Sequence, residues 1–148
     1  MFLSKCYRNV FVVISLLILP VISSAEEAVS NVFLRNSQGD EIPLTVEIAD
    51  TPEALRKGLM FRTSMPENQG MLFVWNDASV RYFWMKNTYI ALDILFFNNG
   101  HFIGALEDVQ PLDETARNIG KPADMALEVN AGSVKKWHID ESWSLTVK

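Results

Sequence analysis

The 148-residue sequence is poor in the residues that most often announce a chemistry. It has one cysteine, Cys6, and that residue precedes the only long apolar run. If the start of the chain is removed on export, nothing remains to form a disulfide, a thiol nucleophile or a cysteine-ligated metal site. There are two histidines, His101 and His138, and they are far apart in sequence. Neither belongs to a close His pair, and no loop of regularly spaced acids occurs, so the sequence offers no metal-ligand spacing and no metal is expected. A Gly-x-Ser-x-Gly elbow, a phosphate-binding glycine loop and a dinucleotide fingerprint are also absent, and no cofactor is expected. There is no internal repeat and no low-complexity tract.

The apolar run itself is informative. Lys5 and Arg8 precede VFVVISLLILPVI, and Ser23-Ser24-Ala25 follows it. A basic start, roughly a dozen apolar residues and a small-x-small ending are the parts of a secretory signal peptide. The run is shorter than the about 20 residues that a membrane-spanning helix needs. Residues 1–25 are therefore expected to be cleaved. The mature chain would start at Glu26, be periplasmic or secreted, have no membrane span and be a monomer. Loss of Lys5 and Arg8 leaves 11 basic residues against 18 acids, a net charge of −7. That balance opposes nucleic-acid binding, which is built from Lys and Arg on phosphates. The remaining residues 26–148 are one domain's worth of chain.

Most of that chain reads as strand. A turn at Ser37-Gln38-Gly39-Asp40 leads into Ile42, Leu44, Val46 and Ile48, which alternate with polar neighbours as in a half-buried strand. One helix is expected near 52–60. Thr51 suits the N-cap, Pro52 the first helical position, and Glu53 the positive end of the helix. MLFVW reads as a strand. LDILFF and HFIGALEDV read as a hairpin, because Asn99-Gly100 supplies the left-handed residues of a two-residue turn. A long polar connection, PLDETARNIGKPAD, then leads to closing strands in MALEVNAG and WSLTVK. Several short strands with one helix predict a mostly β protein (β-rich α+β), a small β-barrel or two-sheet sandwich.

The segment YFWMKNTYIALDILFF reads as strand over nearly all of its length, with a turn near Asn87. In its second half both parities are apolar, which marks a central strand and places Asp93 on a buried face. A buried carboxylate is costly unless paired and hydrogen-bonded, so Asp93 needs a partner. Lys86 and Arg62 are the cationic candidates. Arg62, Trp84, Lys86, Asn87, Thr88 and Asp93 are thus the candidate ligand-binding set. They carry a cation, an amide, a hydroxyl, a carboxylate and an indole, which suit a sugar, a small carboxylate or a peptide end. The plainer alternative is that Asp93 satisfies the core through an ion pair while Trp84 fills volume and Asn87-Thr88 form a turn. The acid pairs Glu107-Asp108 and Asp113-Glu114 could serve a glycosidase if they faced one another across a cleft. Solvated charge is the simpler account of both.

VEIADTPEALRKGLMFR, GMLFVW, FWMKNTYIALDILFF and ALEVNAG, in that order, resemble the signature blocks of the family catalogued as domain of unknown function 192. The resemblance runs from about Val46 to Val147. It implies a compact β-rich fold with one short helix and carries no established activity. Similar proteins continue from the Gly-Ser segment into a glycine-rich turn ending in Gly-Asp, where this chain has VKKWHIDESWSL. The expected function is a non-enzymatic exported module that binds a small polar ligand or an envelope component. The alternatives are an envelope-acting hydrolase using Asp93 with Lys86, and a partner-binding or stabilising factor using a sheet edge or the 111–124 loop.

Overall fold

The computed structural model describes residues 29–148, so the expected leader at 1–25 lies outside the described residues. Seven strands form a single sheet: β1 Val29–Arg35, β2 Glu41–Ala49, β3 Gln69–Val80, β4 Leu92–Asn98, β5 His101–Val109, β6 Pro122–Asn130 and β7 Ser144–Val147. Their order is β1-β2-β3-β6-β4-β5-β7, and β7 pairs back onto β1 to close a ring. The protein is mostly β, with one continuous sheet in place of two facing ones. All pairings are antiparallel except β2 with β3, which run parallel and are joined through helix α1, Pro52–Lys57.

The helix starts for the expected reason. Thr51 is extended, and its hydroxyl accepts a hydrogen bond from the Ala54 amide at 3.2 Å. It ends at Lys57 because Gly58 leaves helical space at φ 48°. The hairpin is also as expected, with Asn99 and Gly100 both at positive φ. A second short helix, α2 Ser133–Lys136, was not anticipated. The segment 81–91, expected to be largely strand, is irregular. Its order comes from an isolated bridge of Phe83 with Arg117 and a hydrogen bond from the Met85 amide to the Asp113 carbonyl at 2.8 Å. The turn at Lys86-Asn87 is present, closed by the Thr88 amide on the Met85 carbonyl at 3.1 Å.

Two apolar clusters lie on opposite faces of the sheet. The first takes residues from all seven strands, including Val32, Val46, Leu72, Leu127, Leu95, Leu145 and the partly buried Phe102, so it fills the ring. The second contains Met71, Phe73, Ala126, Ile94 and Phe96 from the outward faces of β3, β6 and β4. It is covered by Leu59 beside α1 and by Phe83, Met85 and Ile119 from the irregular segments. β4 and β6 are therefore buried on both sides, which is why LDILFF is apolar at both parities.

Asp93 points to the ring side with Leu95 and Phe97 and is 0% exposed. It pairs with neither Lys86 nor Arg62. One carboxylate oxygen accepts from the Asp108 amide at 2.8 Å, the other from the Val134 amide at 2.8 Å. Asp108 sits at φ 50°, and Val134 is in the first turn of α2, whose N-cap Gly132 has no side chain to offer. The carboxylate thus ties β4 to β5 and starts α2, and two charge-assisted hydrogen bonds offset its desolvation. Asp93→Ala strands both amides and should cost about 3–6 kcal/mol, taking each such bond at about 1.5–3 kcal/mol. Asp93→Asn, which keeps one acceptor, should recover part of the loss. Urea unfolding of the two variants measures both, and a loss below about 1 kcal/mol for Asp93→Ala would contradict this assignment.

Candidate functional site

The cover over the outer cluster is incomplete. Between the C-terminal turn of α1 and the segment 82–88 lies a cleft of about 230 Å³. Its inner wall is aromatic. Phe83 meets Phe73 and Phe96 edge-on at 5.2 and 5.4 Å, and Trp75 stacks on Phe73 at 6.0 Å. The outer wall is Tyr82 and Trp84, exposed by 67% and 44%. Such rings supply apolar area with a polar edge, which suits a surface that is to be covered by a ligand.

Glu128 of β6 also lines the cleft and is only 5% exposed. Its Oε2 is fully buried and has no hydrogen-bond partner. Gly58 stands over it: a Cβ there would come within 3.8 Å of Oε2 and 3.2 Å of the Phe73 ring. Desolvation pushes the Glu128 carboxyl up to about 8, so it keeps its proton at neutral pH. This residue was not among the sequence candidates. In MALEVN it alternates with Leu127 and Val129, the pattern of a strand with one wet face. Its burial becomes visible only once β6 is known to be covered on both sides.

The six candidate residues are not gathered into one site. Trp84 and Thr88 line the cleft. Thr88 is 5% exposed, and its hydroxyl donates to the Lys86 carbonyl at 3.3 Å, within the turn. Lys86 reaches the cleft only through Trp84, its ammonium lying 5.2 Å from the indole centroid. Asn87 shapes the mouth, with φ 53° and its carbonyl accepting from the Phe61 amide at 2.7 Å. Arg62 forms an ion pair with Glu47. Asp93 is on the other face of the sheet. Both acid pairs are divided in use. Asp108 turns its amide to Asp93, and Asp113 bonds Arg117 at 2.6 Å, which holds its carboxyl well below the usual carboxylate range. His101 and His138 are exposed, and among the described residues no three His, Cys, Asp or Glu side chains gather as metal ligands.

The family model for an uncharacterised group, domain of unknown function 192, matches residues 34–147. The chain belongs to that family. A Sinorhizobium meliloti protein of known structure, provisionally described as a transcription regulator, is 34% identical. The match covers 82% of this chain and 95% of that one, with a TM-score of 0.79. A protein of unknown function from Novosphingobium aromaticivorans is 29% identical over 86% of this chain and 91% of that one, with a TM-score of 0.77. No curated protein matches the chain.

Glu128 gives the cleft a measurable signature. The folded protein holds this proton more tightly than the unfolded chain, where a glutamate titrates near 4.5. Stability should therefore decline as pH rises from about 4.5 to about 8 and level off above that. Glu128→Gln removes the titration and should be the more stable protein at pH 9, by an amount on the order of 5 kcal/mol. Urea midpoints from pH 5 to 9 for both proteins decide it. Parallel pH profiles would mean that Glu128 is ionised and satisfied at neutral pH.

Proposed function

We propose that this protein is an exported, non-catalytic binding module that receives a small polar ligand in the cleft between α1 and residues 82–88. The observation that carries the reading is the buried, unpartnered Oε2 of Glu128 in an aromatic-walled cleft. A buried polar group without a partner costs about 1–3 kcal/mol, and a ligand that hydrogen-bonds it recovers that cost on binding. Trp84 and Tyr82 form the contact surface, with Lys86 holding one face of the indole.

The competing roles find less support. Hydrolysis through a pair of carboxyls needs two of them across a cleft, and among the described residues Glu128 is the only acid lining this one. Asp93, the acid of the hydrolase alternative, is occupied by two backbone amides. The closing seam is short, β5 meeting β7 only at His101 with Ser144, but Lys121 donates to the Ile103 carbonyl of β5 at 2.9 Å and the 111–121 connection is engaged in covering the outer cluster. A DNA-reading role, as the description of the Sinorhizobium relative would suggest, is opposed by 18 acids against 13 basic residues in the whole chain.

Binding is tested by a thermal-shift screen of sugars, organic acids and short peptides, followed by titration. Trp84→Ala removes a half-exposed side chain, so its stability should change by less than about 1 kcal/mol while any affinity found falls at least about tenfold. Ligands that bind the Trp84→Ala and Glu128→Gln proteins as well as the native one would place the site elsewhere. Export is tested separately by intact-mass measurement on protein from a cell-envelope fraction. The expected species starts at Glu26, and membrane-bound protein that retains residues 1–25 would rule out cleavage.

A further inference from the structure

The charge around the Glu128 cleft is opposite to that of the chain as a whole. The sequence carries a net −5, yet among the described residues Glu128 is the single acid lining the cleft and two cations, Arg56 and Lys57, line it from α1. Two more hold the indoles: Arg81 lies 4.5 Å from the Trp75 centroid and Lys86 5.2 Å from that of Trp84. These occupy indole faces that an aromatic cage would have to offer to a cationic ligand. The inner wall is apolar, formed by Leu55, Leu59, Met60, Phe73 and Phe83, and provides few hydrogen-bonding groups for the many hydroxyls of a sugar.

We propose that the cleft binds a small organic anion with a flat apolar body, its carboxylate at the mouth facing Arg56 and its ring between the aromatic walls. The proposal rests on the reading of this cleft as a ligand site and adds the class of ligand. A neutral Glu128 is what permits it. An ionised carboxylate on the floor would repel the anion, whereas the protonated acid can donate a hydrogen bond to an acceptor on the ligand. The terminal torsion of a glutamate is broad and roughly two-fold, and either oxygen can carry the proton, so the one nearer the ligand can be the donor. The titratable or charged groups lining the cleft with Glu128 are Arg56 and Lys57 of α1 and Tyr82 of the 82–88 segment. From the flanking strands, β3 offers Met71 and Phe73 and β4 offers Ile94. Glu47, across Met71 on the same face, is ion-paired with Arg62.

The test uses three planar probes of one shape and different charge: benzoate, benzamide and benzylamine. Each is titrated into the protein at pH 6.5 and pH 9, followed by tryptophan fluorescence and calorimetry. Benzoate should bind at least about tenfold more tightly than benzamide at pH 6.5, with benzylamine weakest. Its affinity should fall about tenfold at pH 9, where Glu128 is mostly ionised, and the fall should vanish in Glu128→Gln. Arg56→Gln, on an exposed helix face and independent of how Glu128→Gln folds, should weaken benzoate several-fold and leave benzamide unchanged. Equal or tighter binding of benzamide or benzylamine overturns the anion assignment while the ligand site stands. No binding of any of the three overturns it as well, and the broader reading falls only if the wider ligand screen is also silent.

Discussion

Burial of β4 and β6 on both faces is the constraint from which the rest of the molecule follows. The ring interior takes the inward side chains of every strand, which would suffice for a small closed sheet. The outward faces of β3, β6 and β4, however, carry Met71, Phe73, Ala126, Ile94 and Phe96. Left to water, each large side chain among them would forfeit about 1.5–3 kcal/mol of burial. A cover is therefore obligatory, and the chain supplies it from α1 and from residues 81–91 and 111–121. A helix and two irregular segments do not tile a flat surface completely. The cleft lies where they fail to meet, so the candidate site follows from how the second apolar layer is closed.

Two buried carboxyls show how differently the same chemical group is used across this sheet. Asp93 and Glu128 are on neighbouring strands in adjacent register, Asp93 opposite Val129 and Ile94 opposite Glu128, and they point to opposite faces. Asp93 finds two amides, one freed by a left-handed residue in β5 and one by the start of α2. It thereby joins three elements. Glu128 faces the α1 turn, where the Gly58 amide is already bonded to the Ala54 carbonyl, and meets aromatic rings. With no donor for Oε2 the acid stays protonated, and its hydrogen-bonding capacity remains available.

How much of this was legible in the sequence depended on whether the cause was local. The α1 start follows from Thr51 and Pro52, and the hairpin from Asn99-Gly100, so both could be read directly. The two-sided burial of LDILFF was visible as apolar residues at both parities. What escaped has non-local causes. Tyr82, Phe83 and Trp84 have the β propensity of a strand, but they cover the sheet instead of joining it. SVKK is too short to show a helical period, and its helix is started by Asp93, 40 residues earlier than Ser133. The need of Asp93 for a partner could be deduced, but backbone amides are not written in a sequence, and the named cations were the only candidates it displayed. Glu128 was hidden by its own alternation, since an acid between Leu127 and Val129 looks like one pointing to water.

The backbone around the cleft supports a functional reading on grounds independent of Glu128. Non-glycine residues at positive φ are uncommon, and a bulky one is a genuine outlier. Phe61 at φ 67°, Asn87 at φ 53° and Leu112 at φ 61° come from three separate segments. All three converge on one short stretch: the Phe61 amide bonds the Asn87 carbonyl at 2.7 Å, and the Leu112 amide bonds the Thr88 carbonyl at 3.1 Å. Asn adopts this conformation readily, but Phe61 and Leu112 each cost of order 1–3 kcal/mol there and persist only where their surroundings over-determine them. A cover whose only task was to exclude water could have been built from relaxed turns. This one spends strain to hold the α1 loop, the 82–88 turn and the 111–121 connection in register beside Trp84, and the effect is to fix the mouth of the cleft. A fixed mouth loses little entropy when it is filled, which is the condition under which a small cleft with few polar groups can still bind usefully.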